Sequence, residues 1–295
     1  MDDKQWLAEK FEGNRAYLRG VAYRMLGSLS EADDAVQETW LRLNRSDTSG
    51  VQNLSGWLTT VVAHVCLDTL RARTSRREES MESQAVEPVA QRAAAMDPEQ
   101  ETLLAESVGL ALLVVLDTLA PAERLAFVLH DMFDVPFDEI AGILGRSPEA
   151  ARQLASRARR QVRGAERTVD ADSERHRRIV ETFITALRGG DFNTLIAVLD
   201  PDLVVRADTG PSGAPREVRG AEQWAKGAIA YSQTVGLAQP ALVLVDGLVG
   251  LVFAAPRGKL SRALKFTIKD GKISQIEVIT EQGRLKQLNL AILTG

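Results

Sequence analysis

The stretch DEIAGILGRSPEAARQLASRARRQV, residues 138–162, has the pattern of two short helices joined by a glycine-centred turn. Apolar residues recur on one face of the first helix. Gly145 can then adopt the left-handed conformation that ends a helix, because it has no Cβ. Ser147 predicts the N-cap of the next helix, and Pro148 suits that helix's first position.

The second helix is predicted to have one buried stripe and one basic outer face. The stripe consists of Ala151, Leu154, Ala155, Ala158 and Val162. The outer face consists of Arg152, Gln153, Ser156, Arg157, Arg160 and Arg163. Small alanines allow close helix approach, while arginine and glutamine can read base edges and bind phosphates. A solvated basic helix in a bundle is the simpler alternative; the glycine turn and Ser-Pro cap favour a DNA-binding helix-turn-helix.

Composition places the chain among globular proteins of two or three domains. It has 295 residues, of which 45% are hydrophobic and 26% charged, and its net charge is -4. No apolar run is long enough to span a bilayer and the first residues lack the order of a secretory signal, so we expect a cytoplasmic protein. The single cysteine, Cys66, is expected to be buried and inert. Positive charge is concentrated in RARTSRR, residues 71–77, and in residues 152–163.

The first eighty residues have helical periodicity. In residues 29–43, Ser30 is expected to cap a helix on which Val36, Trp40 and Leu43 form an apolar face. A second helix begins near Trp57 and runs into the arginine cluster. This first domain is predicted to span residues 1–80.

A linker is predicted over residues 81–105, where two prolines occur and no strong apolar period is present. Residues 106–166 form a second helical domain, which contains the opening stretch. From residue 171 two helices precede strand-like runs, and Asp-Gly pairs at 246–247 and 270–271 indicate tight hairpin turns. The third domain, 171–295, is therefore expected to be α+β with an antiparallel sheet.

Three segments together resemble the bacterial sigma factors of the extracytoplasmic-function group. They are AYRMLGSLSEADDAVQETWLRL, GWLTTVVAHVCLDTLRARTSRR and LDTLAPAERLAFVLHDMFDVPFDEIAGILGRSPEAARQLASRARRQV, in that order. The resemblance implies two all-α domains, a region 2 bundle and a region 4 helix-turn-helix. It also implies a subunit that binds core RNA polymerase, opens the -10 promoter element with region 2 and reads the -35 element with region 4.

Site residues follow from the matched motifs. The resemblance assigns polymerase docking to Asp34, Gln37, Glu38, Trp40 and Leu41. For Trp40, a position in the hydrophobic core is an equal alternative. It assigns contact with the -10 element to Asn53, Arg71, Arg73, Arg76 and Arg77. Contact with the -35 element is assigned to Ser147 and to the basic outer face of the second helix in residues 138–162. The first 170 residues show no nucleotide loop, paired catalytic acids or metal-ligand cluster, so no cofactor and no metal are expected.

The last third resembles SnoaL-like domains of the NTF2-like superfamily, which are cone-shaped α+β folds. Sigma factors of the subgroup with this extension are thought to be regulated by it in cis. Of the subgroup's Trp-Leu-Pro-Glu-Pro motif this chain keeps Glu87 and Pro88. Of its Asp-Gly-Gly-Gly motif it keeps Asp208 and Gly210, and of its Asn-Pro-Asp-Lys-Leu motif little more than Arg284 and Leu285. These six are the candidate regulatory residues.

Two other functions remain as alternatives. A one-component repressor or activator would sense a small-molecule ligand with its third domain and bind DNA without polymerase. An enzyme with a vestigial DNA-binding arm would need acid-base groups in that domain. The domain contains no histidine after His176, and Asp208 has no obvious partner in sequence. The sequence therefore favours a regulatory extension without membrane contact and without catalysis of its own.

Overall fold

The computed structural model describes residues 3–46, 51–82, 109–163, 171–208, 215–235, 240–254 and 260–293. The chain divides into two compact units. Unit 1 comprises residues 1–109 and 119–159, and unit 2 comprises residues 110–118 and 160–295. In the part of the chain that the structure describes, no helix combines the length and apolar character needed to cross a membrane.

Unit 1 is built from helices. Its elements are α1 (Asp3–Leu26), α2 (Leu29–Arg45), α3 (Leu54–Glu82), α5 (Pro121–Phe127), a π-helical turn (Val128–Met132), α6 (Phe137–Leu144) and most of α7 (Pro148–Arg163). The first three helices pack against one another, and α3 also contacts α5 and α6. Their apolar faces supply the core, so helices and periodicity agree with the sequence prediction.

Helix α2 begins earlier than predicted. Its N-cap is Ser28, whose side chain accepts a hydrogen bond from the Glu31 backbone N–H at 3.4 Å. The assignment of the cap to Ser30 was therefore wrong, since Ser30 already lies inside the helix. A serine followed three residues later by glutamate is a known start signal, and Ser28 and Glu31 have that spacing.

The C-terminal end of α1 is held by two arginines from other helices. The last carbonyls of a helix have no partner within it and carry partial negative charge, which favours cations. Arg73 of α3 donates through Nη1 to the Leu26 carbonyl at 3.2 Å and pairs with Glu31. Arg124 of α5 donates through Nε to the Arg24 carbonyl at 3.1 Å and is 1% exposed. The end of α1 is thus capped by side chains 47 and 100 residues away.

Cys66 lies in the core of unit 1, as predicted. It is fully buried, and burial raises the pKa of its thiol from 9.0 to about 12, although the charges of Arg124 and Arg73 oppose that shift. A thiol that stays protonated and inaccessible is a poor nucleophile. Its role is packing.

Unit 2 contains four further helices and a seven-stranded sheet, besides α4 (Leu110–Asp117). The helices are α8 (Ala171–Gly189), α9 (Phe192–Val198), α10 (Ala221–Val235) and α11 (Gln282–Gln287). The strands are β1 (Leu199–Ala207), β2 (Arg216–Arg219), β3 (Pro240–Val245), β4 (Leu248–Ala254), β5 (Leu260–Lys269), β6 (Lys272–Ile279) and β7 (Leu290–Ile292). They are arranged in the order β2-β1-β6-β5-β4-β3-β7.

The sheet is mixed rather than purely antiparallel. Strand β1 pairs with β6 in parallel, while the other neighbouring pairs are antiparallel. The prediction of an antiparallel sheet was wrong for this pair, because a contact between strands so far apart in sequence leaves no local signal. Both predicted hairpin turns are confirmed. Asp246 and Gly247 have φ of 51° and 80°, and Asp270 and Gly271 have 51° and 75°.

One face of the sheet packs against α8, α9 and α10. Phe183 of α8 lies 5.8 Å from Trp224 and 5.2 Å from Phe266, measured between ring centroids. Leu242 and Leu244 of β3 also pack against this cluster. Aromatic and aliphatic side chains therefore fill the inside of the domain.

The opposite face of the sheet is covered by α4. Side chains alternate along a strand, so Val243 and Val245 of β3 point away from the aromatic cluster, and both are fully buried. Helix α4 contacts β3, β4 and β7, and buries four successive apolar residues, Leu113, Val114, Val115 and Leu116. Both faces of the central strands are thereby removed from water.

Arg73 and Arg71 should differ in their effect on stability. Arg73→Ala leaves the Leu26 carbonyl and the half-buried Glu31 carboxylate without their cation, so the free energy of unfolding should fall by about 2 kcal/mol. Arg71, 58% exposed and 4.0 Å from Asp68, is the matched control, and Arg71→Ala should change it by less than about 0.5 kcal/mol. Urea unfolding measures both, and equal losses would contradict the assignment of Arg73 to the α1 cap.

Candidate nucleic-acid interface

The turn between α6 and α7 is built as the sequence predicts. Gly145 ends α6 with φ 62° and ψ 39°, and its N–H donates to the Gly142 carbonyl. Ser147 Oγ accepts a hydrogen bond from the Ala150 N–H at 3.2 Å, and α7 begins at Pro148. Both helix ends at this turn are thus capped by local groups, which fixes the direction in which α7 leaves it.

Helix α7 has a buried apolar stripe on one side and an exposed basic face on the other. The predicted stripe of Ala151, Leu154, Ala155, Ala158 and Val162 is buried. The six predicted outer residues, Arg152, Gln153, Ser156, Arg157, Arg160 and Arg163, are all exposed. Arg152 lies 3.5 Å from Glu149 and over the ring of Phe137, which steadies the first turn. The helix therefore presents four guanidinium groups, an amide and a hydroxyl on one solvent-facing side.

A further arginine of α7 forms an ion pair with another segment of the protein. Arg159 donates from Nε to Asp131 in the π-helical turn, and its side chain is 33% exposed. In the same turn the ring of His130 stacks on Phe137 at 3.8 Å. The pair ties α7 to the preceding segment and so positions its outer face. Sequence reasoning did not assign Arg159 a role, since its partner lies 28 residues earlier.

The predicted -10 residues have three different surroundings. Asn53 accepts a hydrogen bond from the Gly56 N–H through Oδ1 at 3.0 Å, so it caps α3. Arg71 is exposed, whereas Arg73 is bound to the end of α1. Helix α3 continues through Arg76 and Arg77, whose side chains lie outside the described part of the structure. Of the described side chains predicted to contact the -10 element, those of Arg71 and Asn53 are exposed to solvent.

The outer face of α2 is acidic with an apolar centre. Asp34, Gln37 and Leu41 are exposed, the last at 39%. Glu38 pairs with Arg42 at 2.9 Å. Trp40 is half-buried with its ring 4.9 Å from Phe11, between centroids, so it packs on α1 while its remaining surface reaches this face.

Two of the candidate regulatory motifs meet in unit 2. Asp208 accepts hydrogen bonds from the Thr280 N–H at 2.6 Å and hydroxyl at 2.8 Å, and from Arg284 Nη1 at 3.2 Å. Arg284 also donates to Glu277 at 2.6 Å, and this bond raises the pKa of its guanidinium. Leu285 is buried. The sequence indicates no partner for Asp208, but in the folded chain two groups of Thr280 and one of Arg284 donate hydrogen bonds to its carboxylate.

Gly210, Glu87 and Pro88 lie outside the described residues. Asp208 is the last described residue before the segment that contains Gly210.

Unit 2 also has an open groove between α8 and the β5–β6 turn. Its volume is about 480 Å³, and it is lined by Arg175, Arg178, Ile179, Thr182, Val198 and Gly271. Among the described residues no three of histidine, cysteine, aspartate or glutamate come together in a way that could hold a metal ion.

Comparison with known proteins gives matches over both units. The family models "Sigma-70 region 2" and "Sigma-70, region 4" match residues 11–76 and 109–162. The chain is 37% identical over 276 residues to the ECF RNA polymerase sigma factor SigJ of Mycobacterium tuberculosis, covering 90% of this chain and 88% of SigJ.

One further relative, SigI, and a solved structure of SigJ extend over nearly the whole chain. It is 33% identical to the sigma factor SigI of the same organism over 288 residues, which is 97% of each protein. The crystal structure of M. tuberculosis SigJ aligns with 94% of this chain and 97% of its own, at 33% identity and a TM-score of 0.46. Because the relative SigJ is 37% identical over most of both proteins, the chain belongs to the extracytoplasmic-function family of RNA polymerase sigma factors, and its C-terminal extension is an α+β domain.

Proposed function

We propose that this sigma factor reads promoters in two parts and is regulated in cis by its extension. Residues 1–80 act as region 2, which binds the polymerase and opens the -10 element. Residues 81–105 link it to region 4, residues 106–166, which reads the -35 element. Residues 171–295 modulate both. The observation that carries the proposal is that α7 buries one apolar stripe and exposes the six basic and polar side chains of its outer face.

The outer face of α7 suits a major groove. Guanidinium groups bind guanine edges bidentately or hold phosphates, and glutamine can bind adenine. Residues 152–163 contain no acid, so no carboxylate opposes the phosphates beyond the first turn. Ser147 contributes through the cap that orients the helix. The Asp131–Arg159 pair keeps the outer face pointing in one direction.

Region 2 is proposed to make two contacts. The face of α2 with Asp34, Gln37, Glu38 and Leu41 docks on core polymerase, where an exposed leucine among acidic groups fits a basic, partly apolar partner. The end of α3 with Arg71, Arg76 and Arg77 holds the separated -10 strand through its phosphates. The bond-making chemistry belongs to the core enzyme, so the chain itself is not an enzyme, needs no cofactor and acts in the cytoplasm.

Regulation in cis is supported by two features of unit 2. Helix α4 lies inside the stretch matched to region 4, yet its apolar residues pack on the C-terminal sheet. Region 4 is therefore tied to the C-terminal sheet through α4. Asp208 and Arg284, from two of the subgroup motifs, form one cluster beside the segment that contains Gly210. A small-molecule ligand of the open groove would act on the same unit.

Arg157→Ala should weaken -35 recognition and leave polymerase binding unchanged. Loss of one arginine contact to a base or phosphate costs about 1–3 kcal/mol, a factor of roughly 5 to 150 in affinity for the promoter. The measurement is run-off transcription and filter binding with reconstituted holoenzyme on a fragment selected from random-sequence DNA. Arg188→Ala, also an exposed arginine, is the control. Loss of core binding, or an equal effect of both variants, would mean that α7 does not read DNA.

Arg284→Ala should raise transcription in the full-length chain by about twofold or more, the usual size of a coupling change between sites. The variant breaks the bonds to Asp208 and Glu277 without touching regions 2 or 4. Deletion of residues 171–295 should change transcription as well, and should also expose α4, so the truncated chain should bind a hydrophobic dye. If the Arg284→Ala variant and the chain lacking residues 171–295 both transcribe at the parent's level, regulation by the extension is excluded.

A further inference from the structure

Arg152 differs from the other arginines on the outer face of α7. The centre of its guanidinium lies 5.5 Å from the ring centroid of Phe137, over the ring, and its Nη1 is 3.5 Å from Glu149. The other three arginines of this face form no ion pair or ring contact with a side chain in the described part of the chain. The direction of the Arg152 side chain is therefore set by its neighbours.

The ring under Arg152 is itself held in place by His130 of the π-helical turn. The rings of His130 and Phe137 stack with their centroids 3.8 Å apart and their planes at 30°. Nδ1 of His130 lies 3.1 Å from the Val135 carbonyl oxygen, and because a carbonyl only accepts, this nitrogen carries the ring proton. The hydrogen bond and the packed ring restrict the rotation of both aromatic groups. We use "the Phe137 stack" for His130, Phe137 and Arg152.

The stack lies at the end of α7 that reads bases in a helix-turn-helix. Arg152 comes soon after Pro148, the first residue of α7, and the N-terminal residues of a recognition helix contact base edges. Its side chain is 54% exposed, so much of the guanidinium is accessible. A guanidinium binds O6 and N7 of guanine through two parallel N–H groups, which requires one orientation. Ordering this side chain before binding is worth a factor of about 2 to 10 in affinity.

Phe137 lies at the edge of the region 4 core rather than within it. It is half-buried, whereas Ile140, one turn later in α6, is fully buried and packs in the core. The turn that holds the stack is also tied to α7, because Asp131 of that turn pairs with Arg159. The Phe137 ring is thus presented to the outer face of α7 from a support that is fixed to the same helix.

We infer that His130 and Phe137 are positioning residues for promoter reading, which hold Arg152 in the orientation that binds one guanine of the -35 element. The inference rests on the proposed reading of that element by the outer face of α7. It assigns a role to two side chains outside every predicted site, and it makes one base pair of the -35 element depend on an aromatic ring that does not touch DNA.

Phe137→Leu tests the stack, since leucine keeps an apolar, helix-favouring side chain at the start of α6 but offers no flat ring. Four holoenzymes are compared, which are the parent, Phe137→Leu, Arg152→Ala and the double variant. Competition filter binding measures their affinity for a fragment that the parent selects from random-sequence DNA, with each base pair of the -35 element replaced in turn. A second cycle, with Arg157→Ala in place of Arg152→Ala, is the matched control.

Arg152→Ala should lower affinity about 5- to 150-fold and remove the preference at one G·C pair. Phe137→Leu should lower affinity about 2- to 10-fold and weaken the preference at that same pair. It should have no further effect when Arg152 is already alanine, but its full effect when Arg157 is alanine. His130→Ala should repeat this pattern, and circular dichroism should show each variant folded.

A loss in Phe137→Leu and in His130→Ala that is equally large without Arg152, or spread evenly over all base pairs, would overturn the stack, because a purely structural role gives that result. So would the parent's affinity and base preference in a folded Phe137→Leu protein. Failure of the proposed function would appear separately, as unchanged affinity and base preference in both Arg152→Ala and Arg157→Ala.

Discussion

Two arginine side chains at the end of helix α1 hold unit 1 together. The carbonyls of Arg24 and Leu26 would otherwise be unsatisfied, and Arg124 and Arg73 bind them from α5 and α3. The buried thiol of Cys66 lies within the field of both guanidinium groups. A helix terminus therefore serves as the junction at which segments 47 and 100 residues away converge. The same junction joins α1 to α3 within region 2 and to α5 of region 4.

The two arginines differ in what they connect. Arg73 joins helices of region 2 and belongs to that domain in every state. Arg124 joins region 4 to region 2 through the Arg24 carbonyl. Helix α4 presents a similar case in unit 2, since it belongs to the region 4 match but covers the C-terminal sheet. Region 4 is thus held at two places by groups that lie outside the basic outer face of α7.

The parts that could be predicted from sequence are local. The faces of α7 follow from a 3.6-residue period, and Gly145, Ser147 and Pro148 follow from the stereochemistry of helix ends. The family resemblance, carried by three motifs, is confirmed, as are the helical domains and the α+β extension. Asp208 and Arg284 were each predicted from motif remnants, but their contact spans 76 residues and has no sequence signal. The contact of Arg124 with α1, the Asp131–Arg159 pair and the parallel pairing of β1 with β6 also have no sequence signal.

Regions 2 and 4 of one chain are proposed to occupy two separated DNA elements. A cleaving chelate attached at Asp68→Cys or Glu149→Cys would map both regions on the same promoter in the assembled holoenzyme. Cuts from the two positions should be centred about 20–25 base pairs apart, the spacing of -10 and -35 elements, or about 70–85 Å. Overlapping cuts, or cuts from the region 4 position in the absence of any from region 2, would contradict reading in two parts.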